Sequence, residues 1–499
     1  MSVQFITFVI VIGILALFVL ERDKGVRTSK ALWIPVAWLF VNSSRPVSMW
    51  LGVFGFGSPL PAADQAETYL EGSPLDGAVF MFLLVAGFIV LAGRSQRVGL
   101  LFRSMGPILL FFSYCAISVL WSAYPFVTFK HWFKGIGDVV MVLIVLTERE
   151  PSAALKRLLS RVGFVLLPLS ILFIKYLPNL GRYYTVGGVG TYTGVTTQKN
   201  TLGVICLVFG LGSLWRFLAV YRDREAARRT HLLIAHGAML IMVLWLLLTC
   251  DSMTSFSCFI MGGAVMVLAS RPILVRQPSI VHFLVAATVG LSLFALFFDS
   301  GGGLVENLGR NPTLTGRTEI WKAVIPLVSN PLVGTGYESF WLGERLQKFW
   351  SVDDKAFKGI QEAHNGYLEL FLNLGWIGVA LLAVLIVGGY RKVIATLRQD
   401  PYAGSLGLAF FVAELSYNFT EAGFRMMLPL WIFFLLAVVG IPKALTPQSL
   451  SAMGSDQPDD VAVDKPQGNY RFRKRITSVQ TPRFDVLRLG SAARRRWES

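Results

Sequence analysis

Charge is scarce in this chain of 499 residues: only 15% are Asp, Glu, Lys or Arg, whereas 54% are apolar. Short segments of alternating polarity, which are typical of membrane β-barrels, are absent. Apolar runs of about 20 residues recur instead, the length that crosses about 30 Å of hydrocarbon as a helix. Because lipid forbids unpaired backbone groups, the sequence predicts an all-α fold, a polytopic bundle of membrane-spanning helices.

Cysteine is much scarcer, and the four cysteines lie in or at the ends of apolar segments: Cys115, Cys206, Cys250 and Cys258. Their spacing fits neither a disulfide framework nor a zinc site, so we interpret them as small core residues. A nucleotide-binding fingerprint such as a P-loop is also absent. The net charge of +16 falls mostly in short loops and the C-terminal tail, which indicates membrane topology rather than nucleic-acid binding.

Thirteen apolar segments are predicted to span the membrane: residues 3–20, 31–48, 77–92, 105–122, 128–147, 158–177, 198–220, 231–249, 252–270, 279–298, 364–389, 402–418 and 424–441. Lysines and arginines fall in every second loop, which predicts an outer N-terminus and a cytoplasmic C-terminus. The first segment lacks a basic leader and a cleavage site, so we expect a retained helix. The second contains Arg45-Pro46 and the fifth contains several charges, so either could lie at the interface; twelve is the alternative count.

The polar parts of the chain define its predicted organisation. Residues 1–441 form the membrane domain, which includes one long polar loop at about 299–362 on the outer, periplasmic side. Residues 442–499 are polar and then strongly basic, which predicts a disordered cytoplasmic tail. A long polar loop in an otherwise apolar chain predicts that recognition or chemistry takes place there.

His364 stands at the end of this loop, where the eleventh predicted span begins. Asn365 can cap that helix, Tyr367 lies on the same helical stripe, and Glu362 can orient the imidazole ring. Because a helix N-terminus disfavours the imidazolium, we expect a neutral imidazole that can act as a base. The alternative is a histidine that only forms structural hydrogen bonds.

Two features precede His364 in the loop. Arg317 is predicted to begin a short amphipathic segment, and its planar guanidinium suits phosphate or pyrophosphate oxygens. The alternative is a solvated charge paired with Glu319 or Asp353. Gly334 and Gly336 follow Asn330-Pro331 and predict a tight turn with positive φ or close backbone approach.

A second predicted outer loop, residues 178–200, is rich in glycine, threonine and tyrosine. This composition can line a carbohydrate site through hydrogen bonds and ring stacking. Arg182 and Lys199 are its cations, and Asn200 follows Lys199 directly. The alternative is an ordinary loop in which Lys199 and Asn200 only start the next helix.

Several charged residues fall within the predicted membrane region, where charge is costly unless it is paired or lines a polar cavity. They are Lys130, Lys134, Asp138, Lys175, Glu369, Glu414, Glu421 and Arg425. This set leaves a non-enzymatic transporter open as a different class of function.

Four motifs, taken in order, resemble the O-antigen ligase and Wzy polymerase superfamily. They are Thr-Gly-Val-Thr-Thr-Gln-Lys-Asn at 193–200, Thr-Gly-Arg at 315–317, the Gly334/Gly336 turn, and His-Asn-Gly-Tyr-Leu at 364–368. The first and last are most similar to the rhizobial exopolysaccharide polymerases. The resemblance covers roughly residues 75–440, with a ligase-related core at about 178–440.

The resemblance implies a GT-C-like helical bundle and a metal-independent, inverting glycosyltransferase without cofactors. Such an enzyme polymerises undecaprenyl-pyrophosphate-linked oligosaccharides into exopolysaccharide or O-antigen at the periplasmic face of the bacterial inner membrane. A ligase that transfers polysaccharide to lipid A-core is the alternative. Family members usually work beside a flippase and a chain-length co-polymerase, which are the implied partners.

The resemblance also assigns roles to individual residues. His364 matches the proposed general base, and Arg317 matches the arginine held to contact the donor pyrophosphate. Arg182 is the candidate for a second donor-binding cation, and Lys199 could fill that role instead. The supporting residues are Glu362, Asn365, Tyr367, Gly334, Gly336 and Asn200.

Overall fold

The computed structural model describes residues 2–22, 28–55, 73–184, 190–226, 228–271, 277–298 and 314–440. All of these residues belong to one compact unit, residues 1–451. The predicted tail at 442–499 and residues 299–313 of the predicted polar loop lie outside the described residues.

The helices of the N-terminal part are α1 Val3–Glu21, α2 Trp33–Asn42, α3 Val47–Val53, α4 Pro74–Ala92, α5 Ser95–Ser104, α6 Gly106–Ile117, α7 Pro125–Leu146, α8 Pro151–Tyr176 and α9 Pro178–Gly181. Those of the C-terminal part are α10 Lys199–Arg222, α11 Arg229–Cys250, α12 Met253–Ala269, α13 Pro278–Phe298, α14 Leu314–Val324, α15 Gly343–Val352, α16 Asp354–Phe357, α17 Gly366–Gln399, α18 Pro401–Tyr417 and α19 Pro429–Val439. Short 3₁₀ helices cover Lys30–Leu32, Ser118–Leu120 and Ile325–Leu327. Within the described residues, the strands are β1 Arg182–Tyr184 and β2 Gly190–Tyr192, an antiparallel pair with Tyr183 opposite Thr191.

Each of the thirteen predicted spans contains a helix. Among the described residues, six helices are long and apolar enough to cross a membrane by themselves: α1, α4, α8, α10, α11 and α17. The pair α5 and α6 would make a seventh span, bent by 89°. The predicted class, an all-α polytopic membrane protein, is therefore confirmed. The second span is broken where expected, because Pro46 disfavours helical backbone at Arg45, and α2 ends at Asn42 before α3 begins.

The helices differ in how deeply they lie within the bundle. In α8 and α10, 72% of the most apolar stretch is buried inside the protein, against 11% in α1. The aromatic rings of Phe411 on α18 and Phe434 on α19 stack at 5.6 Å, and both are almost fully buried. Hence α8, α10, α18 and α19 form the centre of the bundle, while α1 offers its apolar side chains to lipid.

Helix α17 is interrupted at Gly375, whose backbone is left-handed with φ 62° and ψ −166°. The chain at 330–336 closes this break. The N–H groups of Thr335 and Gly336 donate to the Asn373 carbonyl at 3.0 and 2.8 Å, and the Trp376 N–H donates to the Pro331 carbonyl at 2.9 Å. The backbone groups freed by the break are thereby paired, as an interrupted membrane helix requires.

Gly334 and Gly336 allow this close approach. Their φ angles are +70° and +106°, in the left-handed region that favours glycine. A Cβ atom at Gly334 would lie 2.5 Å from the Asn373 backbone, which leaves no room for any larger residue. The predicted glycine turn is confirmed, and its task is to dock the 330–336 segment on α17.

Candidate active site

His364 lies two residues before α17, in a segment held at several points. Its φ of +50° is unusual for a residue other than glycine, so neighbouring contacts must fix the backbone. The Ala363 N–H donates to Glu369 Oε1 at 2.5 Å, and the Gly366 N–H donates to the Asn418 carbonyl at 2.9 Å. Asn365 accepts from the Leu368 N–H at 2.9 Å, so its predicted capping role is confirmed.

Two carboxylates meet the imidazole of His364. Glu362 Oε1 and Glu421 Oε2 each lie 3.2 Å from Nδ1, and Glu421 belongs to the connection between α18 and α19. Carboxylates only accept, so Nδ1 carries the proton and donates. Glu362 lies beside the ring, where a residue that orients it is expected, and the hydrogen bond of Nδ1 is with Glu421.

Two arginines complete this group. Arg317 Nη2 lies 3.4 Å from Glu421 Oε1, and Arg425 Nη1 lies 3.6 Å from Glu362 Oε2. Arg317 belongs to α14, which confirms the predicted short helix at this point. Its ion pair is with Glu421, 104 residues later in the chain. We call Arg317, Glu362, His364, Glu421 and Arg425 the histidine cluster.

The surroundings of the His364 imidazole favour its protonated form more than the sequence predicts. Burial disfavours the imidazolium, but the hydrogen bond to Glu421 and the charges of Glu362 and Glu421 outweigh it. The pKa of His364 is therefore raised above its ordinary value, although Arg317 opposes the shift. A helix N-terminus was expected to favour the neutral imidazole, whereas the adjacent carboxylates act in the opposite direction. A raised pKa makes His364 a stronger base once it has lost its proton.

The histidine cluster borders a large cavity of about 880 Å³. Glu362, Glu421 and Arg425 of the cluster contribute to its lining. The other contributors include Ser48, Asp76, Lys130, His131, Lys134 and Asn200. A volume of this size is typical of sites for substantial ligands.

The structure places the predicted second cations elsewhere. The described lining of the large cavity includes Asn200 but neither Arg182 nor Lys199. The Arg182 guanidinium donates to the Ile174 carbonyl at 3.0 to 3.1 Å, at the end of α8, and lies over the Tyr192 ring at 5.2 Å. Lys199 Nζ lies 4.0 Å from Asp251.

Tyr367 has a bracing role. Its hydroxyl donates to the Leu415 carbonyl at 3.1 Å, and its ring contacts those of Phe419 and Phe424. These contacts join the start of α17 to the end of α18, the two regions that carry His364 and Glu421. Tyr367 therefore supports the cluster through packing.

Glu421 and Arg425 were not singled out for the site from the sequence, which offers only two opposite charges four residues apart beside an apolar span. Glu369 and Glu414, grouped with them above, hold loops in place. Glu369 accepts from Trp341 Nε1 at 2.9 and 3.0 Å as well as from the Ala363 N–H. Glu414 accepts from Asn418 Nδ2 at 3.1 Å, and the Asn418 side chain in turn accepts two N–H groups just after Glu421.

A small cavity of about 30 Å³ adjoins the cluster and is lined by Glu338, Glu362, Glu369 and Arg425, among others. Its volume suits a single water molecule. Burial raises the pKa of Glu338, and the nearby positive charge of Arg425 opposes that shift. Arg425 thus pairs with Glu362 within the histidine cluster and also lies near the buried acidic side chain of Glu338.

A metal ion is one group that the cluster could hold. The ligand atoms of Glu362, His364 and Glu421 lie within 4.8 Å of one another. However, Arg425 and Arg317 already face the two carboxylates and provide the countercharge that a divalent ion would bring. The donor set therefore fits a metal in composition, while the arginines compete with it.

The fold and the site define a polytopic membrane protein with a histidine, carboxylate and arginine cluster beside a large cavity. The O-antigen ligase family model matches residues 195–383. Together with the relatives below, this match confirms the predicted resemblance to the O-antigen ligase and Wzy polymerase superfamily. The match includes Arg317 and His364 but ends before Glu421 and Arg425.

The chain is 28% identical over 303 residues to the exopolysaccharide production protein ExoQ of Rhizobium meliloti (strain 1021), which covers 58% of this chain and 66% of that protein. It is 27% identical over 218 residues to a protein of Rickettsia bellii (strain RML369-C) named as a polysaccharide ligase. This alignment covers 40% of this chain and 51% of that protein. A similarly named protein of Rickettsia conorii (strain ATCC VR-613 / Malish 7) is 22% identical over 372 residues, which cover 70% of this chain and 83% of that protein. The chain thus spans a little less than two thirds of the first relative and about half of the second.

Proposed function

We propose that this protein is a membrane glycosyltransferase that polymerises undecaprenyl-pyrophosphate-linked oligosaccharide units into exopolysaccharide or O-antigen. The observation that carries the proposal is the pairing of His364 with Glu421 and of Glu421 with Arg317, beside the large cavity. The resemblance to the superfamily supports the same chemistry. The reaction takes place at the periplasmic face of the bacterial inner membrane in this proposal.

The cluster suits a single displacement. With the Nδ1 proton donated to a carboxylate, Nε2 of His364 has a free lone pair and takes the proton of the acceptor hydroxyl. The acceptor oxygen then bonds to the anomeric carbon as the bond to pyrophosphate breaks. The electron pair leaves with undecaprenyl pyrophosphate, and attack from the opposite face inverts the anomeric configuration.

Arg317 would stabilise the charge that develops on the leaving pyrophosphate. A guanidinium matches phosphate oxygens with two parallel donors, and such contacts gain strength where water is excluded. Pyrophosphate is already a good leaving group, so the mechanism needs no general acid and no metal ion. Arg182 and Lys199 remain candidates for a second donor contact only if the substrate reaches beyond the large cavity.

Ligation is the second candidate function, because two of the relatives carry the name of polysaccharide ligases. The same base and the same cationic group would serve, and only the acceptor would change to lipid A-core. A flippase that supplies the donor and a co-polymerase that sets chain length are the partners in the polymerase proposal. The basic loops and tail would then face the cytoplasm.

The experiment that tests the proposal follows lipid-linked saccharide, resolved by size, in a strain that lacks the protein. Single repeat units should accumulate, and the wild-type protein should restore long chains while His364→Ala should not. His231→Ala is the matched control, because His231 is exposed and outside the site. Accumulation of long chains on the carrier, with none on lipid A-core, would establish ligation. Normal polymer in the deletion strain would refute both.

A further inference from the structure

Helix α4 has a cavity at each of its ends. Asp76, in the first turn of α4, lines the large cavity beside the histidine cluster, whereas Gly93, directly after α4, lines a second cavity of about 700 Å³. Helix α4 is long and apolar enough to cross a membrane. Its 19 residues span about 28 Å, close to the thickness of the hydrocarbon layer. The second cavity therefore lies at the opposite face of the membrane from the histidine cluster.

This second cavity carries an excess of positive charge, and we call it the basic pocket. Its described lining includes three arginines, Arg94, Arg97 and Arg149, and one acidic residue, Glu148. Arg94 Nη2 lies 2.6 Å from Glu148 Oε1, which also accepts from the Ser29 hydroxyl at 2.5 Å. The Ser29 N–H donates to Oε2 at 2.9 Å, so both carboxylate oxygens have donors. Because Arg94 and Glu148 balance each other, the surplus charge belongs to Arg97 and Arg149.

The two remaining arginines are suited to an anionic ligand. Arg97 Nη1 donates to the Thr147 carbonyl at 3.0 Å, which uses one of the five N–H groups of a guanidinium. A carbonyl has no net charge, so this bond does not neutralise Arg97. Arg149 is exposed and also lines the pocket. Two guanidinium groups beyond the Arg94–Glu148 pair favour an anion with several oxygen acceptors, such as a phosphate group.

Helix α5 places the basic pocket at the depth of lipid headgroups. Arg97 belongs to α5, and α5 and α6 are bent by 89° against each other. Because α6 enters the bundle, where its Phe111 and Phe112 are buried, α5 runs along the membrane surface. Ile89 lies one turn before the pocket on α4 and is 69% exposed, as expected for a residue that faces lipid. Acyl chains can therefore reach the edge of the pocket.

We propose that the basic pocket binds the phosphate group of an anionic membrane lipid. Arg97 and Arg149 contact the phosphate oxygens, and the acyl chains pass over Ile89 into the bilayer. The lipid thereby joins α5 to the connection between α7 and α8, the two elements that carry these arginines. A soluble phosphate ester shares the phosphate chemistry but lacks acyl chains. The site goes beyond the proposed glycosyl transfer and does not depend on it.

The test measures lipids bound to the full-length protein by native mass spectrometry in a neutral detergent. The probes are phosphatidylglycerol, zwitterionic phosphatidylcholine and soluble glycerol 3-phosphate. We expect R97Q/R149Q to weaken binding of the first phosphatidylglycerol molecule about tenfold or more, the effect of losing at least one charge-assisted hydrogen bond. Phosphatidylcholine, whose choline balances the phosphate charge, should bind more weakly to the wild type and change less. R97K/R149K keeps both charges and should retain most of the affinity.

A matched control removes the same charge elsewhere on this face of the protein. Arg391 and Arg398 are exposed residues of α17 that do not line the pocket. Lys392 donates to the Ser104 carbonyl at the end of α5, which places this part of α17 at the same face. R391Q/R398Q should bind phosphatidylglycerol like the wild type. An equal loss of affinity in this control would indicate a general effect of surface charge and would overturn the proposal.

Two other results would also overturn it. A folded R97Q/R149Q protein that binds phosphatidylglycerol with wild-type affinity would show that the pocket is not the site. Glycerol 3-phosphate that displaces phosphatidylglycerol at equal concentration would make the ligand a soluble phosphate instead of a lipid. R149Q alone protects the test against misfolding, because Arg149 is exposed. This variant should unfold at the wild-type temperature and still lose affinity for phosphatidylglycerol severalfold.

Discussion

Two segments of this molecule, the hairpin of β1 and β2 and the helix α14, use their arginines in different ways. In the hairpin segment, Arg182 donates to the carbonyl of Ile174, eight residues earlier in the chain. In α14, Arg317 meets Glu421, which is 104 residues later. The first contact closes the end of a helix, and the second joins distant parts of the chain into one cluster.

The difference shows how local backbone geometry determines which groups an arginine side chain binds. The last carbonyls of a helix lack partners within it and carry partial negative charge, so a nearby arginine is readily bound there. Arg317 sits on a helix that faces the connection after α18, and its partner carboxylate also holds the histidine. Because its contact joins distant parts of the chain beside His364, Arg317 is the better candidate for substrate contact.

Loss of His364 is expected to have the largest effect. His364→Ala should lower the turnover of purified enzyme on lipid-linked saccharide by about 10²–10⁴-fold, the usual contribution of a general base. The measurement is the initial rate of chain extension, with His231→Ala as the control. A loss below tenfold in a folded variant would contradict the assigned role.

The second largest effect is expected for Arg317, and substitution of Arg182 should affect turnover much less. Arg317→Ala should lower turnover by about 10²–10³-fold, since it removes a group that stabilises developing charge. Arg182→Ala should leave the rate per folded molecule within a few-fold and lower stability by about 1 kcal/mol through the lost helix-end bonds. Rates and thermal unfolding of both variants provide the measurement.

Reversed effects of the two arginine substitutions on activity would contradict this assignment of roles. Full activity in Arg317→Ala together with a large catalytic loss in Arg182→Ala would move the site to the hairpin. Arg317→Lys sharpens the result, because lysine keeps the charge but not the paired donors. An intermediate rate in Arg317→Lys would indicate that donor geometry contributes.

Docking of the 330–336 segment on α17 offers a third test. Gly334→Ala introduces both a positive-φ penalty and a clash with the Asn373 backbone, so we expect a loss of at least about 2 kcal/mol. Gly359→Ala is the matched control: its φ is +89°, but nothing lies within 4 Å of the added Cβ. The difference between the two unfolding free energies isolates the clash. Equal losses would show that the close approach contributes nothing.

Periodicity and composition were sufficient to predict most of this fold. Apolar runs predicted every helix that carries a span, because crossing lipid sets helix length directly. The break at Gly375 could not be predicted, since it depends on a segment 40 residues earlier filling the gap. The glycine turn was visible in the sequence, but its partner on α17 was not.

The candidate site was predicted in part. Glu362, His364, Asn365 and Arg317 share one stretch of the chain with recognisable motifs, and the structure brings them near one another. Glu421 and Arg425 lie in the connection between α18 and α19. From the sequence alone, a charge next to an apolar span indicates only an energetic cost and no role in a site. Their role depends on the packing of α17 against α18, which no local pattern encodes.

The pH dependence should report the carboxylates around His364. The active base is the neutral imidazole, so the rate rises as pH increases through the His364 pKa. Glu421 raises that pKa by its hydrogen bond and its charge, so Glu421→Gln should shift the acid limb of kcat/KM to lower pH. Glu362→Gln removes only a charge contribution and should shift it less. An acid limb that moves to higher pH in Glu421→Gln would contradict this account.

Chelation should have the smallest effect. Glu362, His364 and Glu421 are close enough to share an ion, but the facing arginines repel a cation and already balance the carboxylates. We therefore expect the rate of chain extension to be unchanged after EDTA treatment and after the return of excess Mg²⁺ or Mn²⁺. Loss of activity with EDTA and its recovery with one of these ions would instead make the three side chains a metal site. In that case Arg317 and Arg425 would act as anchors for its ligands, and the difference between Arg317 and Arg182 would concern metal binding instead of direct contact with pyrophosphate.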